Sequence, residues 1–218
     1  ALEHQKVLLN EINHRVKNSL QLVASLFRLQ AAGSDDPKLT QSLQAAIGRI
    51  AAIARIHERL YRSPEVAVVD LAEYLGDICA DLAALAPQCE IAYLPEGATP
   101  MTTDGAVRVA LLTTELVTNA VKHGGPGRIL VKLRTSEEAS SITLTVHDEG
   151  PGLPAGFSLE SAETLGMKII GTLAEQMGVC LTARNAQRGA EFVARIPMAH
   201  DSAPSARRSD QSARTCCG

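Results

Sequence analysis

The chain has 218 residues, 45% of them hydrophobic, and 21 Lys and Arg stand against 24 Asp and Glu for a formal net charge of −3. That length allows one large domain or two small ones with real cores. The near-balance of charge argues against a nucleic-acid surface, and an aromatic content of 3% without Trp argues against stacking on bases or sugars. No apolar run approaches the roughly 18 residues that span a bilayer. The N-terminal "ALEHQKVLLNE" carries charges where a signal peptide needs an apolar stretch, so a soluble, cytoplasmic chain is expected. Cys79, Cys89, Cys180, Cys216 and Cys217 form no CxxC pair, which speaks against a disulfide framework or a zinc site. Cys79 and Cys180 are expected to be small core residues.

The first segment is a predicted helix. Leu9, Ile12, Val16, Leu20, Val23 and Phe27 recur every three or four residues as one apolar stripe, and Leu22, Leu26 and Leu29 widen it in the second half. A helix that touches more than one neighbour needs such a stripe. "AAGSDDPK" breaks the pattern, with Gly33 suited to a helix end and Asp36-Pro37 to an N-cap and first helical position. In the second helix Leu39, Leu43, Ala46, Ile50, Ile53, His57 and Leu60 step alternately by four and three, a seam in which His57 occupies an otherwise apolar slot and reads as a packing residue. The two helices make an antiparallel hairpin with too little core of its own, so another copy or another domain is expected to complete a bundle. The hairpin spans 1–64 and ends at Ser63-Pro64 within "YRSPEVAVVD".

Residues 65–199 alternate element types. Asp70 can cap a helix through about Leu85, "CEIAYL" is a short strand, and Asp104 can cap a long helix that stops at Gly124-Gly125. "RILVKLRT" and "SSITLTVHD" alternate with period two, joined by the polar "SEEAS". The Gly/Pro/Ser-rich "EGPGLPAGFSLESAET" is a loop, a helix follows from about Leu165 to Met177, and "VCLTARN" with "AEFVARIP" closes a hairpin. The expected class is α+β: an N-terminal helical hairpin, half of a four-helix bundle, followed by an α/β sandwich with helices on one face of a mixed sheet. Residues 200–218, rich in Ser, Ala, Arg and Asp, are expected to be a disordered tail.

Three stretches of the second part carry chemistry. In "ELVTNAVKHG" Glu115, Asn119 and Lys122 share a helix face, which is either a solvated face or a polar edge over a nucleotide. On the second reading Asn119 holds a metal ion, Lys122 lies near phosphates and His123 beside the sugar or base. In "VHDEGPGLP" a strand ends at Asp148, a carboxylate able to accept from an exocyclic amine, and Gly150 and Gly152 allow close backbone approach; an ordinary turn would read the same. In "ETLGMKIIGTLAEQMG" Leu165 and Gly166 open a helix whose first N–H groups suit phosphate oxygens, unless the glycine serves only the junction. Neither a GxxxxGK[ST] loop nor a GxGxxG motif after a first strand is present.

In this order the three stretches resemble the Bergerat ATP-binding fold of histidine kinases, Hsp90-type chaperones, type II topoisomerases and mismatch-repair ATPases. The resemblance covers about Val66 to Ala199, with Asn119 matching the N box, Asp148 to Gly152 the first glycine box and Gly166 the second. It implies ATP and Mg²⁺, the Mg²⁺ held by Asn119, with Glu115 orienting a metal-bound water. Residues 152–164 would then form a lid. Many members carry Thr after the glycine of the last strand, whereas this chain has Ala190 in "RGAEF".

The hairpin narrows the family. "LLNEINHRVKNSLQLVASLFRLQAA" resembles the phosphoacceptor helix of the HisKA_2 group of two-component sensor histidine kinases, over Leu8 to Ala32. In isolation His14 could lie on a solvated face, bind a metal or be a reactive imidazole. The resemblance implies that it is the phosphoacceptor and that a response-regulator receiver domain takes the phosphoryl group onward. At roughly 100° per residue His14 lies opposite Ile12, Val16 and Leu20, with Glu11 and Asn18 on its own side. In the better-known histidine kinase group an acidic residue follows the phosphorylated His, but here it is Arg15, which could instead neutralise the phosphoryl group. Glu11 is the candidate base by position, and Asn18 stands where related kinases orient a water for dephosphorylation. Two alternatives are a phosphotransfer protein of the same architecture that does not bind ATP and a serine kinase of the anti-sigma-factor type. A homodimer through the hairpin is expected, with a monomer also open. An upstream sensor domain is expected to precede the charged first helix.

Overall fold

The computed structural model describes residues 2–60, 68–136, 138, 140–159 and 164–198. Contacts group the chain into two units, Ala1–Ile78 with Thr99–Thr114, and Cys79–Ala98 with Glu115–Gly218. The α+β class expected from the sequence is the one observed, with N-terminal helices followed by a mixed sheet with its own helices.

In the first unit α1 (Leu2–Ala32) and α2 (Pro37–Leu60) form the hairpin and pack along each other. Gly33 N–H donates to the Leu29 carbonyl, which closes α1, and Thr40 N–H donates to the Asp36 carbonyl at the start of α2, as the Asp36-Pro37 pair predicts. Among the described hairpin side chains the buried ones are Ala24 and Ala52, small residues that suit a close helix contact. Leu22, Val23, Leu26, Leu29 and Leu39 are exposed, Leu29 by 71%. The expected end of the hairpin at Ser63-Pro64, the packing role of His57 and the tail at 200–218 lie outside the described residues or side chains.

The same unit holds a two-stranded antiparallel ribbon of β1 (Val68–Asp70) and β3 (Pro100–Thr102), which three-residue strands without alternation did not announce. Asp70 Oδ1 accepts from Ala72 N–H at 2.9 Å and from Thr99 N–H at 2.9 Å. One carboxylate oxygen therefore caps α3 (Leu71–Leu85) and holds the chain next to β3. At the start of α4 (Thr103–Gly124) the cap differs from the expectation. Thr102 Oγ1 accepts from Gly105 N–H at 3.3 Å, and Asp104 lies inside the first turn, where it pairs with Arg108 at 2.7 Å. Two neighbouring capping residues compete there, and the hydroxyl one position earlier takes the role.

The second unit is built on a five-stranded sheet in the order β2-β4-β5-β7-β6. Its strands are β2 (Cys89–Glu96), β4 (Gly127–Ser136), β5 (Ser141–Asp148), β6 (Cys180–Asn185) and β7 (Ala190–Pro197). β2 runs parallel to β4, and the other pairs are antiparallel. Alternation places Ile129, Val131 and Leu133 of β4, Ile142, Leu144 and Val146 of β5, and Phe192, Ala194 and Ile196 of β7 in the core. Register puts Val131 opposite Val146 and Leu144 opposite Ala194, so these residues form continuous rows across the sheet. Leu116, Val117 and Ala120 of α4 and Met167, Ile170, Leu173 and Ala174 of α5 (Leu165–Met177) are buried apolar helical residues of the same unit. Cys79 is buried, and burial pushes its thiol up to about 12. Cys180 is only half-buried, short of the core position expected for it.

Candidate functional site

The sheet's own periodicity makes the site. Counting inward-facing positions along β5, Ile142, Leu144 and Val146 are followed by Asp148, opposite Ile129. A carboxylate thus takes the last place in a row of core side chains, and it is 7% exposed. A buried carboxylate needs hydrogen bonds. Oδ1 accepts from Gly150 N–H at 2.9 Å and from Ala190 N–H at 3.4 Å. Oδ2 makes no hydrogen bond among the described residues.

Backbones crowd this carboxylate closely. The end of α4 lies against it, since a Cβ on Gly124 would meet Asp148 Cγ at 3.1 Å. A Cβ on Gly150 would fall on the Gly124 backbone. From the other side Gly189, with φ +77°, presses on the Asp148 carbonyl, where a Cβ would overlap that oxygen and approach Gly150 N to 2.8 Å. Gly189 combines a left-handed backbone with a forbidden Cβ, so two separate constraints require glycine there. Its neighbour Ala190 lacks the hydroxyl of the Thr that many members carry there. The structure uses the Ala190 main chain instead, through the N–H to Asp148 and the carbonyl 3.2 Å from His147 Nδ1.

The α4 face grades from core to solvent. Glu115 is 2% exposed and has interaction partners, Asn119 is half-buried, and Lys122 and His123 are exposed. Asn119 Nδ2–H donates to the Met167 sulfur at 3.6 Å, which brings α4 and α5 together. Its Oδ1 makes no hydrogen bond among the described residues. At the start of α5 Thr164 is the N-cap, its Oγ1 accepting from Met167 N–H at 3.4 Å. The N–H groups of Leu165 and Gly166 have no partner among the described residues, and Leu165 is exposed while Gly166 is buried. No group of three or more His, Cys, Asp or Glu able to hold a metal ion occurs among the described residues. A divalent ion here would therefore rely on the Asn119 amide oxygen and on oxygens of its own ligand, the usual manner of Mg²⁺ with phosphates.

The structure thus brings Asp148, Gly150, Gly124, Gly189 and Ala190 together, and separately joins Asn119 to Met167. Gly152 follows in the same loop, held by a contact taken up below. Lys122 and His123 lie beyond Asn119 on α4 and make no hydrogen bond to the carboxylate. His14 and Glu11 lie on α1, and their side chains are outside those described. Of their neighbours, Arg15 and Asn18 are exposed and Val16 and Leu20 half-buried. Sequence reasoning missed Met167, Thr164, Gly189 and Asn185. A Thr just before the predicted helix signalled the cap; nothing local signalled the others.

Two family models match this chain: "Histidine kinase" over residues 11–86, and "Histidine kinase-, DNA gyrase B-, and HSP90-like ATPase" over residues 105–200. The chain belongs to the histidine kinases and carries their ATPase-type catalytic domain. Among relatives, the sensor histidine kinase PdtaS of Mycobacterium tuberculosis is 33% identical over 205 residues, 91% of this chain and 41% of that protein. The blue-light-activated histidine kinase 2 of Erythrobacter litoralis is 27% identical over 209 residues, 87% of this chain and 57% of that protein. The chain thus spans less than two thirds of either relative's length. The solved histidine kinase domain of Erythrobacter litoralis EL346 superposes with a TM-score of 0.60 at 21% identity, covering 90% of this chain and 93% of that one, a likeness of fold. Among the described residues no helix is long and apolar enough to cross a membrane.

Proposed function

We propose that this chain is the core of a cytoplasmic sensor histidine kinase, which autophosphorylates His14 from ATP and passes the phosphoryl group to an aspartate of a response-regulator receiver domain. The observation that carries the reading is Asp148. It is buried, one oxygen is fixed by two backbone N–H groups, and the other makes no bond among the described residues. The exocyclic amine of adenine is a donor of the right kind for that oxygen. A phosphotransfer protein that does not bind ATP has no use for that second oxygen.

The remaining residues divide the work of phosphoryl transfer, which is mostly positioning and electrostatics. Asn119, its amide oxygen unengaged, would hold Mg²⁺, with Glu115 behind it on the same helix face. When bound with ATP, Mg²⁺ neutralises phosphate charge. Lys122 and His123 would attend the phosphates and the sugar or base, and the N–H groups of Leu165 and Gly166 would receive phosphate oxygens. Gly150 and Gly152 keep the backbone close, and residues 152–164 would cover the nucleotide. At His14 the N–P bond forms as the bond from the γ-phosphorus to the β,γ-bridging oxygen breaks and ADP leaves. Glu11 is the candidate proton acceptor, Arg15 would neutralise charge, and Asn18 would orient a water that hydrolyses the aspartyl phosphate of the response regulator to inorganic phosphate. The exposed leucines of α1 and α2 support a homodimer through the hairpin. Incubation with γ-labelled ATP and Mg²⁺ should give an acid-labile label that is absent from His14→Ala. An acid-stable label, or equal label on His14→Ala, sinks the proposal.

A further inference from the structure

The β6–β7 turn does more than close a hairpin. Ala186 N–H donates to the Gly189 carbonyl at 3.0 Å, which draws the tip tight around Gln187-Arg188. From that tip three contacts reach the end of β5 and the segment after it. Ala190 N–H donates to Asp148 Oδ1, and Gly189 sits on the Asp148 carbonyl. The third comes from Asn185, the last residue of β6, whose Oδ1 accepts from Leu153 N–H at 2.6 Å across 32 residues of chain. That same oxygen stands 2.7 Å from where a Cβ on Gly152 would be, and Gly152 has φ +84°. The glycine therefore leaves room for a protein side chain. Its place in the DxGxG sequence suggested space for a ligand instead.

We infer that Asn185 is a positioning residue for nucleotide binding: through its amide oxygen it clamps Leu153 N–H and fixes the backbone course of Gly150 to Leu153 as it leaves Asp148. The proposal rests on the kinase reading for the nucleotide but not for the clamp. Asn185 is exposed and lies 37 positions from Asp148 along the chain, so it acts through the loop. The acceptor for Leu153 N–H is the side-chain oxygen of Asn185, which limits the replacements that keep the function. Asp retains an oxygen at the same place; Ala does not.

The test compares the wild-type chain with Asn185→Ala and Asn185→Asp in two measurements. Hydrogen exchange at the Leu153 amide is read without nucleotide. It should quicken about three- to tenfold in Asn185→Ala, the consequence of losing one hydrogen bond, and stay near wild type in Asn185→Asp. In autophosphorylation, Asn185→Ala should raise the KM for ATP by a similar factor with kcat within about twofold, and Asn185→Asp should restore it. A second probe uses the steric contact. Gly152→Ala should be less damaging to ATP affinity in the Asn185→Ala background than alone, because the oxygen it would strike is gone. Unchanged Leu153 exchange overturns the clamp. Quickened exchange with an unchanged KM overturns its part in nucleotide binding. Absence of any ATP binding by the wild-type chain overturns the kinase reading and the nucleotide role together, while the exchange result still decides the clamp.

Discussion

Leu144 on β5 and Leu29 on α1 both belong to apolar stripes, yet the first is wholly buried and the second is 71% exposed. Around Leu144 the rows of β4, β5 and β7 close on one another, and even the carboxylate that ends the row has two main-chain donors. Around Leu29 the described hairpin buries two alanines and leaves Leu22, Val23 and Leu26 open as well. The catalytic unit satisfies its own core, whereas the hairpin presents a stripe with the spacing of a helix contact and no described occupant. In the proposed kinase a second copy of the hairpin would cover that stripe, whereas the sheet of the catalytic unit needs no partner.

The contrast can be broken at several points, taken from the largest expected effect downward. Gly189→Ala adds a Cβ onto the Asp148 carbonyl and forces Ala to a φ of +77°. Stability to chemical denaturation should fall by about 2 to 4 kcal/mol; a loss under 1 kcal/mol would mean the turn is not held by Asp148. Asp148→Ala removes a charged hydrogen-bond acceptor, so affinity for a fluorescent ATP analogue should drop about 10- to 150-fold, and an unchanged affinity would remove Asp148 from the site. Leu29→Ala, which cuts back an exposed leucine, should weaken self-association about tenfold by light scattering across a concentration series if a second copy covers the stripe. A chain that is monomeric at every concentration would end the homodimer reading. The smallest effect is an absence of change. With its thiol pushed up to about 12 by burial, Cys79 should stay protonated and unmodified by an alkylating reagent at pH 8. Half-buried Cys180 should react before Cys79. Mass spectrometry that finds Cys79 modified as fast as Cys180 would show that the core opens more readily than its packing implies.

Where the sequence was legible, the cause was local. The helix bounds Leu165–Met177, the strand that ends on Asp148, and the Asp36-Pro37 start of α2 follow from periodicity and capping within a few residues. The strands β1 and β3 were hidden because three residues carry no period, and Thr102 displaced Asp104 because either could cap. The order of Asn119, Asp148 and Gly166 was readable, but the parts that hold the site together were not. Gly189 against Asp148, Asn185 on Leu153 and Asn119 on Met167 join residues 32 to 48 positions apart, beyond the reach of any local pattern. Ala190 lacks the hydroxyl of the Thr found in many members, and its bond to Asp148 comes from the backbone N–H, which any residue but proline supplies.

The parallel pairing of β2 with β4 bears on how this protein can be cut. β2 is an edge strand, separated in sequence from β4 by α4, and the ATPase-type family match begins at residue 105, after β2 has ended. A fragment trimmed to that match would strip β4 of its neighbour along all eight paired positions from Gly127 to Arg134. "RILVKL" would then line a bare sheet margin, a template for the same segment of another molecule. Recombinant fragments that start before Cys89 should therefore stay dispersed where those starting at residue 105 form aggregates.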